Sequence, residues 1–137
     1  MHRWPVIAAI VVWPASVQAA PPSPAVERLL TAIRKVETGG RADGGRNAVG
    51  DGGRAIGPYQ IWRAYWLDSG VGGRYEDVRD PAVARRVVLA YWARYAPKAL
   101  ATGDLETLAR LHNGGPGWSR RPWTTDRYWR RVQQAMR

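Results

Sequence analysis

Apolar positions recur every three to four residues over Val26, Leu29, Leu30, Ile33 and Val36. That spacing puts one stripe of side chains on one face of an α-helix. Ser23 followed by Pro24 offers an N-cap with proline at the first helical position, and Gly39-Gly40 offers a left-handed stop. The pattern predicts a helix from about Pro24 to Glu37. A stronger one, Pro81 to about Ala96, opens at Asp80-Pro81, carries Val83, Val87, Val88, Tyr91, Trp92 and Tyr95 on its inner face, and stops at Pro97. Leu105, Leu108, Leu111 and His112 mark a third over Asp104 to Asn113, ended by Gly114-Gly115-Pro116. Trp129, Val132 and Met136 share a face of a last helix capped by Thr125 or Asp126. A short aromatic helix holds Tyr59, Ile61, Trp62, Tyr65 and Trp66 and ends at Asp68-Ser69-Gly70.

The helical period breaks between Glu37 and Ile61, a glycine-rich stretch reading ETGGRADGGRNAVGDGGRAIGPYQI. Asn47-Ala48-Val49 and Ala55-Ile56 flank Gly50-Asp51-Gly52-Gly53, which is hairpin chemistry. Gly-Gly-Arg recurs at 39–41, 44–46, 52–54 and 72–74, too short a unit for a repeat architecture. The expected fold class is α+β, predominantly helical, with about five helices and one small β-hairpin.

Length and charge narrow the setting. A chain of 137 residues has room for one domain. Basic Arg3, the apolar run from Pro5 to Val12 and the small residues of Ala15-Ser16-Val17-Gln18-Ala19 read as a signal peptide. The run is too short to span a bilayer. The expected organisation is therefore a signal peptide at 1–19 and one domain at 20–137, secreted or periplasmic, monomeric, without a transmembrane anchor. With no cysteine, packing alone must hold it. Arginine and lysine number 21 against 11 acidic residues, for a net charge of +10. Such a surface suits an anionic polymer; for an exported protein, cell wall or a lipid surface is the natural partner and nucleic acid is not expected.

Several chemistries drop out. Of two histidines, His2 lies in the signal segment, so a zinc site has too few nitrogen and sulfur ligands; no metal and no cofactor are expected. The glycines before Pro58 lack the Lys-Ser or Lys-Thr of a phosphate loop, and there is no Gly-x-Ser-x-Gly. Carboxylate chemistry remains, and glycoside cleavage is its best-fitting form, needing one acid held protonated and often a second carboxylate across the bond. Glu37, at a helix end among apolar residues, suits the acid because exposed helix carbonyls disfavour negative charge. Asp51, returned by the hairpin, suits the second. Trp62, Trp66 and Trp92 fall at helical spacing and read as core, whereas Trp118 and Trp123, in a loop, read as a substrate wall for sugar rings.

In order along the chain stand Glu37-Thr38, Ala55-x-Gly57-x-x-Gln60, Asn113-Gly114-Gly115-Pro116 and Thr125-x-x-Tyr128. These resemble the active-site landmarks of the lysozyme-like superfamily, in particular the soluble lytic transglycosylases. Gly57-Pro58-Tyr59-Gln60-Ile61, Tyr65-Trp66-Leu67-Asp68, Ala109 to Pro116 and Tyr128-Trp129 are similar to phrases of the invertebrate-type lysozymes. The resemblance implies a lysozyme-like fold and cleavage of the β-1,4 bond between N-acetylmuramic acid and N-acetylglucosamine in peptidoglycan glycan strands. It implies Glu37 as catalytic acid, with Gln60, Asn113 and Tyr128 lining the cleft; Tyr59, His112 and Gly114 complete the expected substrate-binding set. Two departures stand out: those lysozymes are rich in disulfides, and Asp51 lies about one residue from the place of their second carboxylate. Hydrolysis and transglycosylation are both compatible with these residues. The competing class is a non-catalytic cationic protein that binds cell wall, lipopolysaccharide or nucleic acid through its arginines.

Overall fold

The computed structural model describes residues 20–137; the expected signal segment lies outside the described residues. Helix α1, Pro24–Thr38, starts where Ser23 Oγ accepts the Val26 N–H at 3.3 Å and ends at Gly39, whose φ of 61° lets its N–H close on the Lys35 carbonyl. Val26, Leu29, Leu30 and Ile33 form its buried stripe, as their spacing predicts. That stripe packs against α5, Leu105–Gly114, and α6, Asp126–Ala135. The long α3, Pro81–Tyr95, is fixed at its start by Asp80, whose Oδ1 accepts from the N–H groups of Ala82 and Val83. Its Val87, Val88 and Trp92 lie at the centre of the single apolar core. An Arg85–Glu27 ion pair joins α3 to α1.

Three short antiparallel strands, β1 Val49–Gly50, β2 Ala55–Ile56 and β3 Ile61–Trp62, pair in that order, with Val49 opposite Ile56 and Ala55 opposite Trp62. A 3₁₀ turn over Asp51–Gly53 joins the first two. The hairpin matches expectation, but the third strand replaces the start of the aromatic helix. That helix, α2, spans Arg63–Ser69 only, because the turn before β3 places Gly57 and Gln60 at positive φ, 77° and 51°, and no helix runs through such residues. A Cβ on Gly57 would run into the Val78 carbonyl, so close packing of the turn also demands glycine.

One further helix, α4 at Pro97–Thr102, has no counterpart in the expected set. Ala96, at φ −145°, ends α3, and Pro97 then serves as the first residue of the next helix. The described residues thus contain six α-helices and one small sheet, in agreement with a predominantly helical α+β class. The last helix starts at Asp126 as expected, though not by a side-chain cap: the Thr125 hydroxyl donates to the Pro122 carbonyl instead.

Candidate active site

Glu37 occupies the final turn of α1, where the chain leaves the core for the glycine-rich stretch. Its carboxylate Oε1 accepts from the Tyr128 hydroxyl at 2.8 Å and lies 3.6 Å from His112 Nε2. His112 Nε2 is also 3.0 Å from the Tyr59 carbonyl. A carbonyl can only accept, so Nε2 carries the proton, and in the neutral ring Nδ1 accepts from the Tyr65 hydroxyl at 2.9 Å. Tyr65 in turn stacks on Tyr91, with ring centres 3.6 Å apart. Glu37 is therefore backed by a layer of rings from α6, α5, α2 and α3. Burial, then the nearby charge of Glu37 and the bond to it, push the Tyr128 hydroxyl well above its ordinary titration range. Burial does the same to Tyr65, with Tyr91 and Glu37 adding to it. Both phenols stay protonated at neutral pH and act as fixed donors.

In front of that layer lies a cleft of about 420 Å³ lined by Glu37, Asp51, Gln60, Trp62, Tyr65 and the Asn113–Pro116 segment, among others. Asp51 stands on the 3₁₀ turn between β1 and β2 at φ 50°, a conformation Asp tolerates better than most residues. Its Oδ2 accepts from the Trp62 indole N–H at 3.1 Å, and its carbonyl accepts from Arg54 Nε at 2.9 Å. Gln60 bonds back to the Gly57 carbonyl at 3.0 Å and fills the space beside Gly50, where a Cβ would collide with its side chain. Asn113 and Gly114 are exposed at the opposite rim.

Arg110 lies on α5 two residues before His112, and nothing in the sequence patterning singled it out. Its side chain is only 10 % exposed. One terminal nitrogen donates to the Pro122 carbonyl at 2.9 Å, the Thr125 hydroxyl at 2.9 Å and Asp126 at 2.7 Å. The other arm of the guanidinium reaches Glu106. This pins the segment that launches α6, and α6 delivers Tyr128.

The structure brings Glu37, Asp51, Gln60, His112, Asn113 and Gly114 to one cleft and sets Tyr128 directly on Glu37. Other positions need correction. The Tyr59 side chain is 3 % exposed and lies in the core; only its carbonyl serves the site, by holding His112. His112 has both ring nitrogens engaged within the protein, so it supports Glu37 from behind and has no free nitrogen for substrate. Trp118 packs beside Arg110 and the core, Trp123 is 65 % exposed, and neither lines the cleft. The tryptophan in the cleft is Trp62, 41 % exposed, which helical spacing had placed in the core. Strand β3 turns it outward. Among the described residues, no group of His, Asp and Glu side chains is arranged to hold a metal ion, and no helix is long and apolar enough to cross a membrane.

A glutamate in the last turn of a buried helix, facing a carboxylate on a small sheet across an open cleft, defines a lysozyme-like protein. No protein-family profile matches the chain. It is 39 % identical over 109 residues to Lysozyme 1 of Crassostrea virginica, covering 78 % of this chain and 58 % of that one. It is 34 % identical to a lysozyme of Meretrix lusoria, covering 79 % of this chain and 88 % of the relative, and 32 % identical to the invertebrate-type lysozyme of Ruditapes philippinarum, covering 79 % of each. Among solved structures it is similar to Meretrix lusoria lysozyme in complex with Aeromonas hydrophila PliI, with TM-score 0.63 and 33 % identity over 79 % of this chain and 88 % of the other. Tapes japonica lysozyme gives TM-score 0.63 and 29 % identity over 85 % and 94 %. The chain belongs to the invertebrate-type lysozyme family. It spans 58 % of the length of the Crassostrea relative.

Proposed function

We propose that this protein is an exported muramidase that cleaves the β-1,4 bond between N-acetylmuramic acid and N-acetylglucosamine in peptidoglycan. The observation that carries this reading is the seat of Glu37: a carboxyl group held by the Tyr128 hydroxyl against a wall of buried rings, opening on a cleft that also contains Asp51. Glu37 protonates the leaving glycosidic oxygen and then, as a carboxylate, takes a proton from the incoming water. Asp51 stabilises the positive charge that develops on the sugar ring. Gln60, Asn113 and Gly114 bind the glycan from the two rims. Residues 1–19 direct export, and 20–137 act as a single-domain monomer.

Hydrolysis is the favoured course because a second carboxylate shares the cleft and the named relatives are lysozymes. Transglycosylation needs Glu37 alone, the sugar's own 6-hydroxyl replacing water. The test is turbidity clearance of purified cell walls by Glu37→Gln. Loss of clearance, with the fold intact, is expected. Clearance at the wild-type rate would overturn this mechanism; the non-catalytic cationic-binding reading instead predicts attachment to walls that survives Glu37→Gln, weakens steeply with salt and releases no soluble muropeptides.

A further inference from the structure

Asp51 sits in a poor place for a group that must be held accurately. Gly50 precedes it, Gly52 and Gly53 follow at φ 66° and 93°, and the turn is exposed on every residue. A side chain on such a turn has several rotamers within reach, and restricting them costs free energy at the moment of reaction. The sheet supplies a restraint. Trp62 lies opposite Ala55 in the β2–β3 pair, so its indole reaches the neighbouring turn and donates to Asp51 Oδ2 at 3.1 Å. Arg54 completes a bracket, with its guanidinium 5.0 Å from the Trp62 ring centre and its Nε on the Asp51 carbonyl.

The bracket is selective in what it leaves alone. Arg54 binds the backbone of Asp51 rather than its carboxylate, and among the described residues Asp51 takes part in no ion pair. Only Oδ2 accepts a hydrogen bond from the protein. One oxygen is fixed, the other is open, and the negative charge is not spent on a protein cation. A neutral donor achieves this where a lysine or arginine at the same place would neutralise the group. Nor does the core account for Trp62, whose ring is too exposed to be there for packing alone.

We propose that Trp62 is the positioning residue of Asp51: its indole N–H fixes one carboxylate oxygen and leaves the other, still charged, for the substrate. This rests on the reading of Asp51 as the second carboxylate of the reaction. Trp62→Phe removes the N–H and keeps a ring beneath Arg54. On purified peptidoglycan, the full chain carrying Trp62→Phe should lose about tenfold in kcat with KM within about twofold. Asp51→Asn should lose at least as much, and the double variant no more than Asp51→Asn alone, because the indole then has no carboxylate to hold. The Trp62 indole ¹H–¹⁵N signal should move upfield in Asp51→Asn. Unchanged kcat in Trp62→Phe, a rise in KM alone (a sugar-stacking surface) or losses that multiply in the double variant would each overturn the proposal. An indole signal indifferent to Asp51→Asn would refute the contact itself. Wild-type activity in Asp51→Asn with the indole signal shifted would instead refute the role of Asp51, and the positioning role with it.

Discussion

Replacing Arg110 by methionine separates what holds the site from what acts in it. The side chain is 10 % exposed, and its bonds to the Pro122 carbonyl and the Thr125 hydroxyl are sheltered. Each such bond from a charged donor is worth about 1.5 kcal/mol. The carboxylates of Glu106 and Asp126 are 51 % and 42 % exposed, so solvent screens those pairs to roughly 0.5 kcal/mol apiece. Methionine keeps most of the apolar stem and avoids desolvating a cation, which offsets about 1 kcal/mol. The expected net loss is about 3 kcal/mol in urea unfolding, or a fall in Tm of roughly 12 °C for a domain of this size. Because Arg110 acts on Tyr128 only through the start of α6, kcat at a temperature where the variant is folded should fall less than in Tyr128→Phe. A stability loss below about 1 kcal/mol would mean that the α6 segment is held by its apolar contacts and that the guanidinium bonds contribute little.

Tyr128→Phe keeps the buried ring and removes the donor to Glu37; kcat on cell walls should drop about tenfold with the circular dichroism spectrum unchanged, and an unchanged kcat would show that the hydroxyl does not serve Glu37. Gly57→Ala puts a Cβ into the Val78 carbonyl at φ 77° and should cost about 3 kcal/mol in chemical denaturation, whereas Gly52→Ala, at φ 66° with open space around it, should cost only about 1 kcal/mol. Burial raises Tyr59 and Tyr91 to about 12 and Tyr65 and Tyr128 well above 10. A folded-state value raised in this way gives stability that is complete below about pH 10, where the unfolded phenol still holds its proton, and is lost as pH climbs through the folded values. Tyrosinate absorbance should therefore rise together with unfolding in alkali; ionisation of all tyrosines near pH 10 in a folded protein would contradict the buried ring layer.

Much of the architecture is readable from residue types. Ser23-Pro24 and Asp80-Pro81 start helices because each pairs a side-chain acceptor with a proline that needs no N–H partner, and both caps form. Asp51 between glycines announces the hairpin. What stays hidden depends on neighbours distant in sequence. A two-residue strand such as Ile61–Trp62 has no period to detect, and its insertion before α2 is what turns Trp62 from the core to the cleft. Pro97 reads as a stop, yet the same proline opens α4. His112 reads as an inward position of its helix and a substrate-binding candidate, but only the fold shows that the carbonyl of Tyr59 and the hydroxyl of Tyr65 close over it. Arg110 is an unremarkable arginine among many until Pro122, Thr125 and Asp126 converge on it. Glu37 is the exception on the side of the site: the helix that carries it and the stop that follows it are both local, so its place was legible before any tertiary contact.

The central claim is that Glu37 transfers a proton to the glycosidic oxygen and that water completes the reaction. Mass spectrometry of muropeptides released from purified peptidoglycan tests it most directly. The wild-type protein should release fragments with reducing N-acetylmuramic acid ends, and Glu37→Gln, folded to the same Tm, should release none. Fragments ending in 1,6-anhydro sugars would replace water by the sugar's own hydroxyl, and soluble muropeptides from Glu37→Gln at the wild-type rate would contradict the account.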